Sequence, residues 1–107
     1  MKNILFLCAR NRLRSPTAEQ IFSDLPGCEV SSAGVNSDAD NPVTGDMIEE
    51  ADLIFVMERS HRRKLQQRFQ KHLRSAHIIC LDIPDDYAFM DPGLIALLHR
   101  KVARHLR

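Results

Sequence analysis

Apolar positions along the chain recur in two alternating patterns. Short, nearly unbroken runs stand at Asn3 to Cys8, Leu53 to Met57 and Ile78 to Leu81, with a more mixed run from Glu29 to Val35 that ends its strand character at Gly34. Each has the length of a buried strand. Between them the period changes to that of a helix. Ala18, Ile21, Phe22 and Leu25 lie at i, i+3, i+4 and i+7, and Pro26-Gly27 stops the pattern. Ser15 and Pro16 read as its N-cap and first helical position.

Asn36 to Thr44 is polar and reads as a loop, followed by a short helix over Asp46 to Glu50. Ser60 is the expected cap of a basic helix with Leu65, Phe69 and Leu73 on its apolar face. Asp82 to Met90 is an acidic loop. Asp91-Pro92 then opens a last helix with Leu94, Leu98, Val102 and Leu106 at four-residue steps. The order β-α-β-α-β-α-β-α predicts one α/β domain over residues 1–107: a four-stranded parallel sheet with helices on both faces. Ligands of such sheets sit beyond the strands' carboxyl ends. The segments after Cys8, Gly34, Met57 and Leu81 should therefore share one edge.

Composition adds little and excludes some classes. Apolar residues are 44%, charged residues 27% and the formal net charge is +1, the balance of a soluble domain. The first apolar run is too short for a secretory core and Arg10 follows it at once, so cytoplasmic residence is expected, with no membrane role. Cys8, Cys28 and Cys80 are odd in number and far apart, a pattern unlike a disulfide framework or a zinc site. The scattered histidines are expected in surface or structural roles. The basic helix carries Arg62, Arg63, Lys64, Arg68, Lys71 and Arg74. With near-zero net charge and no reader motif, it is read as a solvated face and not as a nucleic-acid surface.

The chemistry is concentrated in Cys8-Ala9-Arg10-Asn11-Arg12-Leu13-Arg14-Ser15. A loop between a strand and a helix gathers backbone N–H groups at a helix N-terminus, which makes an anion nest. A cysteine at its mouth is favoured as the nucleophilic thiolate. Arg14 can close over the anion as a forked donor. Ser15 can hydrogen-bond the sulfur, and Asn11 suits a left-handed turn that pins the loop.

Cys8-x5-Arg14-Ser15, with Asn11 at the fourth position and Pro16-x-Ala18-Glu19 after it, resembles the low-molecular-weight protein tyrosine phosphatases. The resemblance continues in Ser32-Ala33-Gly34 and in Ala51 to Met57 with the basic stretch that follows. It implies a Rossmann-like fold with strand order 2-1-3-4 and hydrolysis of a phosphomonoester, phosphotyrosine being the family's substrate class. Cys8 would attack phosphorus and form a phosphocysteine. Residues Ala9, Arg10, Asn11, Arg12, Leu13, Arg14 and Ser15 would hold the phosphate. An aspartate would act as general acid and then base, help worth roughly 10²–10⁴-fold. No metal or cofactor is implied. The implied partners are a phosphorylated protein or small phosphomonoester, with phosphate as product.

The family's acid precedes proline and an aromatic residue. Asp91-Pro92 is the literal Asp-Pro, but it is read as a helix cap and lacks the aromatic. Asp85-Asp86-Tyr87 keeps the aromatic spacing, so Asp85 is the expected acid, with Asp82 second and Asp86 among the bystanders. The chain also departs from the family. Length is missing between Gly34 and Asp52, Arg10 stands where glycine is common, and Leu13 replaces a second cysteine of many eukaryotic members. Arg10 and Arg12 either face solvent or favour an acidic substrate. Phe89 is expected in the core, and Tyr87 either there or at the pocket rim. Two rival functions use the same loop: arsenate reduction with Cys80 as relay, and binding of phosphorylated or acidic partners without turnover.

Overall fold

The computed structural model of the protein describes residues 2–73 and 76–106. The elements in chain order are β1 (Lys2–Cys8), α1 (Arg14–Phe22), β2 (Cys28–Gly34), α2 (Gly45–Glu50), β3 (Leu53–Val56), α3 (Arg59–Phe69), a 3₁₀ turn (Gln70–His72), β4 (His77–Cys80) and α4 (Pro92–Ala103). The four strands form one parallel sheet in the order β2-β1-β3-β4, as the alternation and the resemblance predict. Arg74 of the basic run lies outside the described residues. Among the described residues no helix is long and apolar enough to cross a membrane.

Strand alternation sends successive side chains to opposite faces, and both faces are covered. Ile4, Phe6 and Cys8 of β1 join Leu53 and Phe55 of β3 and Met57 beyond it. They pack against Ala18 and Phe22 of α1 and Leu94, Leu98 and Val102 of α4. The ring of Phe6 stacks between Phe22 and Phe55, at centroid distances of 5.7 and 5.2 Å. On the other face Leu5, Leu7, Ile54 and Val56 pack against Ile48 of α2 and Leu65 of α3. This double burial explains why β1 and β3 read as unbroken apolar runs.

Several helix boundaries differ from expectation. α1 starts at Arg14, and its cap position, Leu13, supplies no side-chain bond. Ser15 lies inside the first turn because its hydroxyl is turned to Cys8 and Asn11 instead. α3 is capped by Glu58 and not by Ser60, through a reciprocal box with His61. Leu25 and Leu73 fall beyond the ends of α1 and α3 but still pack on the core. Asp91 caps α4 as read, with Oδ1 accepting from the N–H groups of Gly93 and Leu94 at 2.7 and 3.3 Å. Phe89 is a correction: it is half exposed, because it sits on a loop above the sheet edge. Tyr87 packs partly buried against the α1/α4 core.

All four strands point the same way, so their carboxyl ends share one edge. There the chain after Gly34 runs beside the Cys8 loop. Val35 N donates to Cys8 O at 2.9 Å, Asn36 N to Ala9 O at 3.0 Å and Asp40 N to Arg10 O at 3.1 Å. Gly34 pairs with Cys8 in the sheet, and a Cβ there would stand 2.4 Å from the Ala39 Cβ and 2.7 Å from the Ala9 carbonyl oxygen. Gly34→Ala should therefore destabilise the chain by about 1–3 kcal/mol, measured by denaturant unfolding. An unchanged midpoint would show that this contact yields.

Candidate active site

Cys8 ends β1 with its side chain buried. The loop that follows turns at Asn11, whose φ is +59°. Short polar Asn is among the few residues that visit this region readily. Arg10, at the position where glycine is common, keeps negative φ, so the loop accommodates its side chain without that strain. Among the described residues, no protein acceptor takes the N–H groups of Ala9, Arg10, Asn11, Arg12 or Leu13. Such a row of free donors at a helix start is a concave anion site.

The loop encloses a cavity of about 290 Å³ lined by Cys8, Ala9, Arg10, Arg12, Leu13, Arg14 and Asp85. Larger hollows lie elsewhere, such as one of about 530 Å³ against β2, but they hold no comparable chemistry. Asn11 and Ser15 stand behind the cavity as its supports. The Ser15 hydroxyl is 2.9 Å from the Cys8 sulfur, 2.9 Å from Asn11 Oδ1 and 3.4 Å from Ala33 O. It has one proton to give, so its donation switches to the sulfur when Cys8 is a thiolate.

Arg14 is buried, with 3% of its side chain exposed. Its Nη1 donates to Glu58 Oε2 at 2.6 Å and to Ile83 O at 2.7 Å. Its Nε lies 3.7 Å from Asp85 Oδ1. One edge of the fork is thus fixed, and the rest of the guanidinium remains toward the cavity it lines. Glu58 was not singled out in the sequence. The signal for it is faint, since Glu at an N-cap with His at N3 reverses the usual Ser/Thr-x-x-Glu box.

Of the acidic candidates, the structure brings Asp85 to Cys8 and Arg14. Asp82 has φ of +54° and faces Arg59 at 3.8 Å and Cys80 at 3.4 Å. Asp91 is occupied as the α4 cap. The acidic loop is held from two sides. Thr17 Oγ1 donates to Leu13 O at 2.6 Å and accepts from Met90 N at 2.9 Å. Lys101 donates to Leu81 O at 2.7 Å and Asp82 O at 3.2 Å. Burial pushes the Cys80 thiol up, and the neighbouring Asp82 carboxylate adds to that shift.

His61 is buried below Glu58. Its Nδ1 accepts from Glu58 N at 3.1 Å, and its Nε2 lies 3.6 Å from Glu58 Oε2. Burial first, and then the Arg14 charge, lower its pKa from 6.5 to about 4, against the opposing pull of Glu58. Between those values the unfolded chain binds a proton that the folded chain refuses. The contribution is complete above pH 6.5, is lost as pH falls toward 4, and levels off below. It amounts to something on the order of 3 kcal/mol. His61→Asn keeps an acceptor for Glu58 N and should lose less thermal stability than the native chain between about pH 7 and about pH 4.5. Equal losses would contradict this assignment.

No protein-family model matches the chain. By sequence it is similar to the protein named "Probable low molecular weight protein-tyrosine-phosphatase EpsP" from Ralstonia solanacearum. The two are 29% identical over 135 aligned positions, which take in 95% of this chain and 92% of the relative. The alignment is longer than the 107 residues of this chain, so the relative carries residues with no counterpart here. A protein of the same name from Ralstonia nicotianae is 29% identical over 92 positions, a match spanning 64% of this chain and 63% of the relative's length. Solved structures agree in fold. Tyrosine phosphatase Wzb from Escherichia coli K30, in complex with phosphate, superposes with a TM-score of 0.78 at 23% identity, over 97% of this chain and 95% of that one. YwlE arginine phosphatase from Geobacillus stearothermophilus gives 0.77 at 23% identity, over 99% and 93%. The chain therefore has the fold of the low-molecular-weight protein tyrosine phosphatases and is similar to them in sequence.

Proposed function

We propose that this chain hydrolyses phosphomonoesters through a phosphocysteine on Cys8, with phosphotyrosine in a protein as the substrate class. The observation that supports it best is the cavity in which the Cys8 sulfur, a row of free backbone donors, the Arg14 guanidinium and the Asp85 carboxyl all meet. The names of its sequence relatives point the same way. Cys8 Sγ attacks phosphorus as the bond from phosphorus to the ester oxygen breaks, and protonated Asp85 gives its proton to that oxygen. Water then attacks the phosphocysteine, Asp85 takes the water's proton, and the phosphorus–sulfur bond breaks to release phosphate and thiolate.

Loop amides and Arg14 hold the equatorial oxygens throughout, a preorganised stabilisation that strengthens as charge develops. Glu58 is a positioning residue, fixing Arg14 from outside the cavity. Ser15 stabilises the thiolate both as nucleophile and as leaving group. Cytoplasmic residence belongs to the same proposal and is supported by the free thiols of Cys8, Cys28 and Cys80.

Release of p-nitrophenol from p-nitrophenyl phosphate by the reduced native chain tests the activity. Asp85→Asn tests the acid. On phenyl phosphate, whose leaving group needs a proton, the rate should fall roughly 10²–10⁴-fold. The fall should be smaller on p-nitrophenyl phosphate. Asp82→Asn should leave both rates near native, and the reverse ranking of the two variants would remove Asp85 from the mechanism.

A further inference from the structure

Arg10 and Arg12 both line the cavity mouth, yet the reaction above asks nothing of their side chains. Each is paired with one carboxylate of the neighbouring loop. Arg10 Nη2 lies 3.7 Å from Asp38 Oδ2, and Arg12 Nε donates to both oxygens of Asp40 at 3.2 and 3.3 Å. All four side chains are more than half exposed, between 54% and 67%. Exposed pairs of this kind hold weakly and exchange partners readily.

The backbone beneath them is fixed by contrast. The loop from Val35 to Asp40 is bonded along the Cys8 loop and held from behind by α3. Lys64 Nζ donates to Asn36 Oδ1 at 2.7 Å, and Arg68 donates to Val35 O. Two cations therefore stand beside the phosphate cavity, each met among the described residues by one displaceable carboxylate. A carboxylate or phosphate next to the phosphoryl group would replace those carboxylates without disturbing the loop.

Building on the phosphatase reading, we propose that Arg10 and Arg12 form a second anion site that selects phosphorylated peptides with acidic residues flanking the phosphorylated one. Asp38 and Asp40 occupy it in the free protein and compete with the substrate. Selection of this type is salt-sensitive, since the exposed charges are screened within about 8 Å at physiological ionic strength.

The test is binding, so it does not depend on turnover. Fluorescence anisotropy would compare phosphotyrosyl peptides flanked by glutamates or by alanines on the Cys8→Ser chain. The glutamate peptide should bind a few-fold tighter at low salt, since each exposed ion pair it makes replaces one already made to Asp38 or Asp40. That ratio should rise in a chain also carrying Asp38→Asn and Asp40→Asn, and should approach one with Arg10→Gln and Arg12→Gln. Equal affinity for the two peptides, or a ratio unmoved by the aspartate changes, would overturn the second site. Hydrolysis of p-nitrophenyl phosphate by the native chain is read separately. Its absence with the binding ratio intact would count against the phosphatase reading alone.

Discussion

Cys8→Ser should abolish phosphate ester hydrolysis while leaving the fold and its affinity for phosphate in place. The size of the effect follows from the chemistry. Serine oxygen is a poor nucleophile without a base to take its proton: Cys8 is flanked by the Ser15 hydroxyl, and Asp85, the carboxyl group in the cavity lining, enters this step already protonated as the acid. With the covalent route closed, the remaining loop donors and Arg14 still bind the anion but have no attacking group to assist. Activity should drop below detection against a p-nitrophenyl phosphate background. Inorganic phosphate should raise the melting temperature of both proteins by mass action. Residual turnover above a percent or so of native in the serine variant would place the chemistry elsewhere. Loss of the phosphate-dependent shift would mean that the sulfur itself organises the nest.

Arg14→Lys should lower the rate on every ester, whatever its leaving group. The native guanidinium spends Nη1 on Glu58 and Ile83 O, keeps Nε near Asp85, and still has donors for the cavity. A lysine ammonium is a single point with three donors. Pulled toward Glu58 it abandons the anion, and pulled toward the anion it leaves Glu58 and the Ile83 carbonyl unanswered. On the proposed mechanism Arg14 holds oxygens whose charge develops during transfer, so kcat should fall roughly 10²–10³-fold with a smaller rise in KM. Glu58→Gln should reproduce a lesser share of that fall, since it loosens Arg14 without removing it. A lysine variant whose loss appears only in KM would restrict Arg14 to ground-state binding.

Much of the architecture was legible in the alternating apolar patterns. β1 and β3 are buried on both sides by α1/α4 and α2/α3, so their runs carried an unambiguous signal. The shape of the Cys8 loop was legible for a different reason: a left-handed Asn11 and a Ser15 hydroxyl beside the sulfur are what those residue types at that spacing suggest. Helix starts were less visible. Ser15 has the composition of a cap but is taken by the sulfur. Ser60 likewise yields to Glu58, which has to lie where it can reach Arg14. The choice among Asp82, Asp85 and Asp91 turned on loop geometry, and only the folded chain shows that Asp82 faces Arg59 while Asp85 faces the cavity. Phe89 misled because a large aromatic usually signals core, whereas this one rides an exposed loop tied down through Met90 and Thr17.

If Cys8 is the nucleophile, phosphorus becomes bonded to its sulfur during turnover. Rapid acid quench of the native chain during turnover of a phosphotyrosyl peptide, followed by peptide mass mapping, tests it directly. With p-nitrophenyl phosphate, whose leaving group needs little protonation, Asp85→Asn slows hydrolysis of the adduct more than its formation and should increase the trapped fraction. A phosphoryl adduct is expected on the peptide containing Cys8 and is expected to be absent in Cys8→Ser. Turnover without any adduct on that peptide, or an adduct on Cys28 or Cys80 instead, would contradict it.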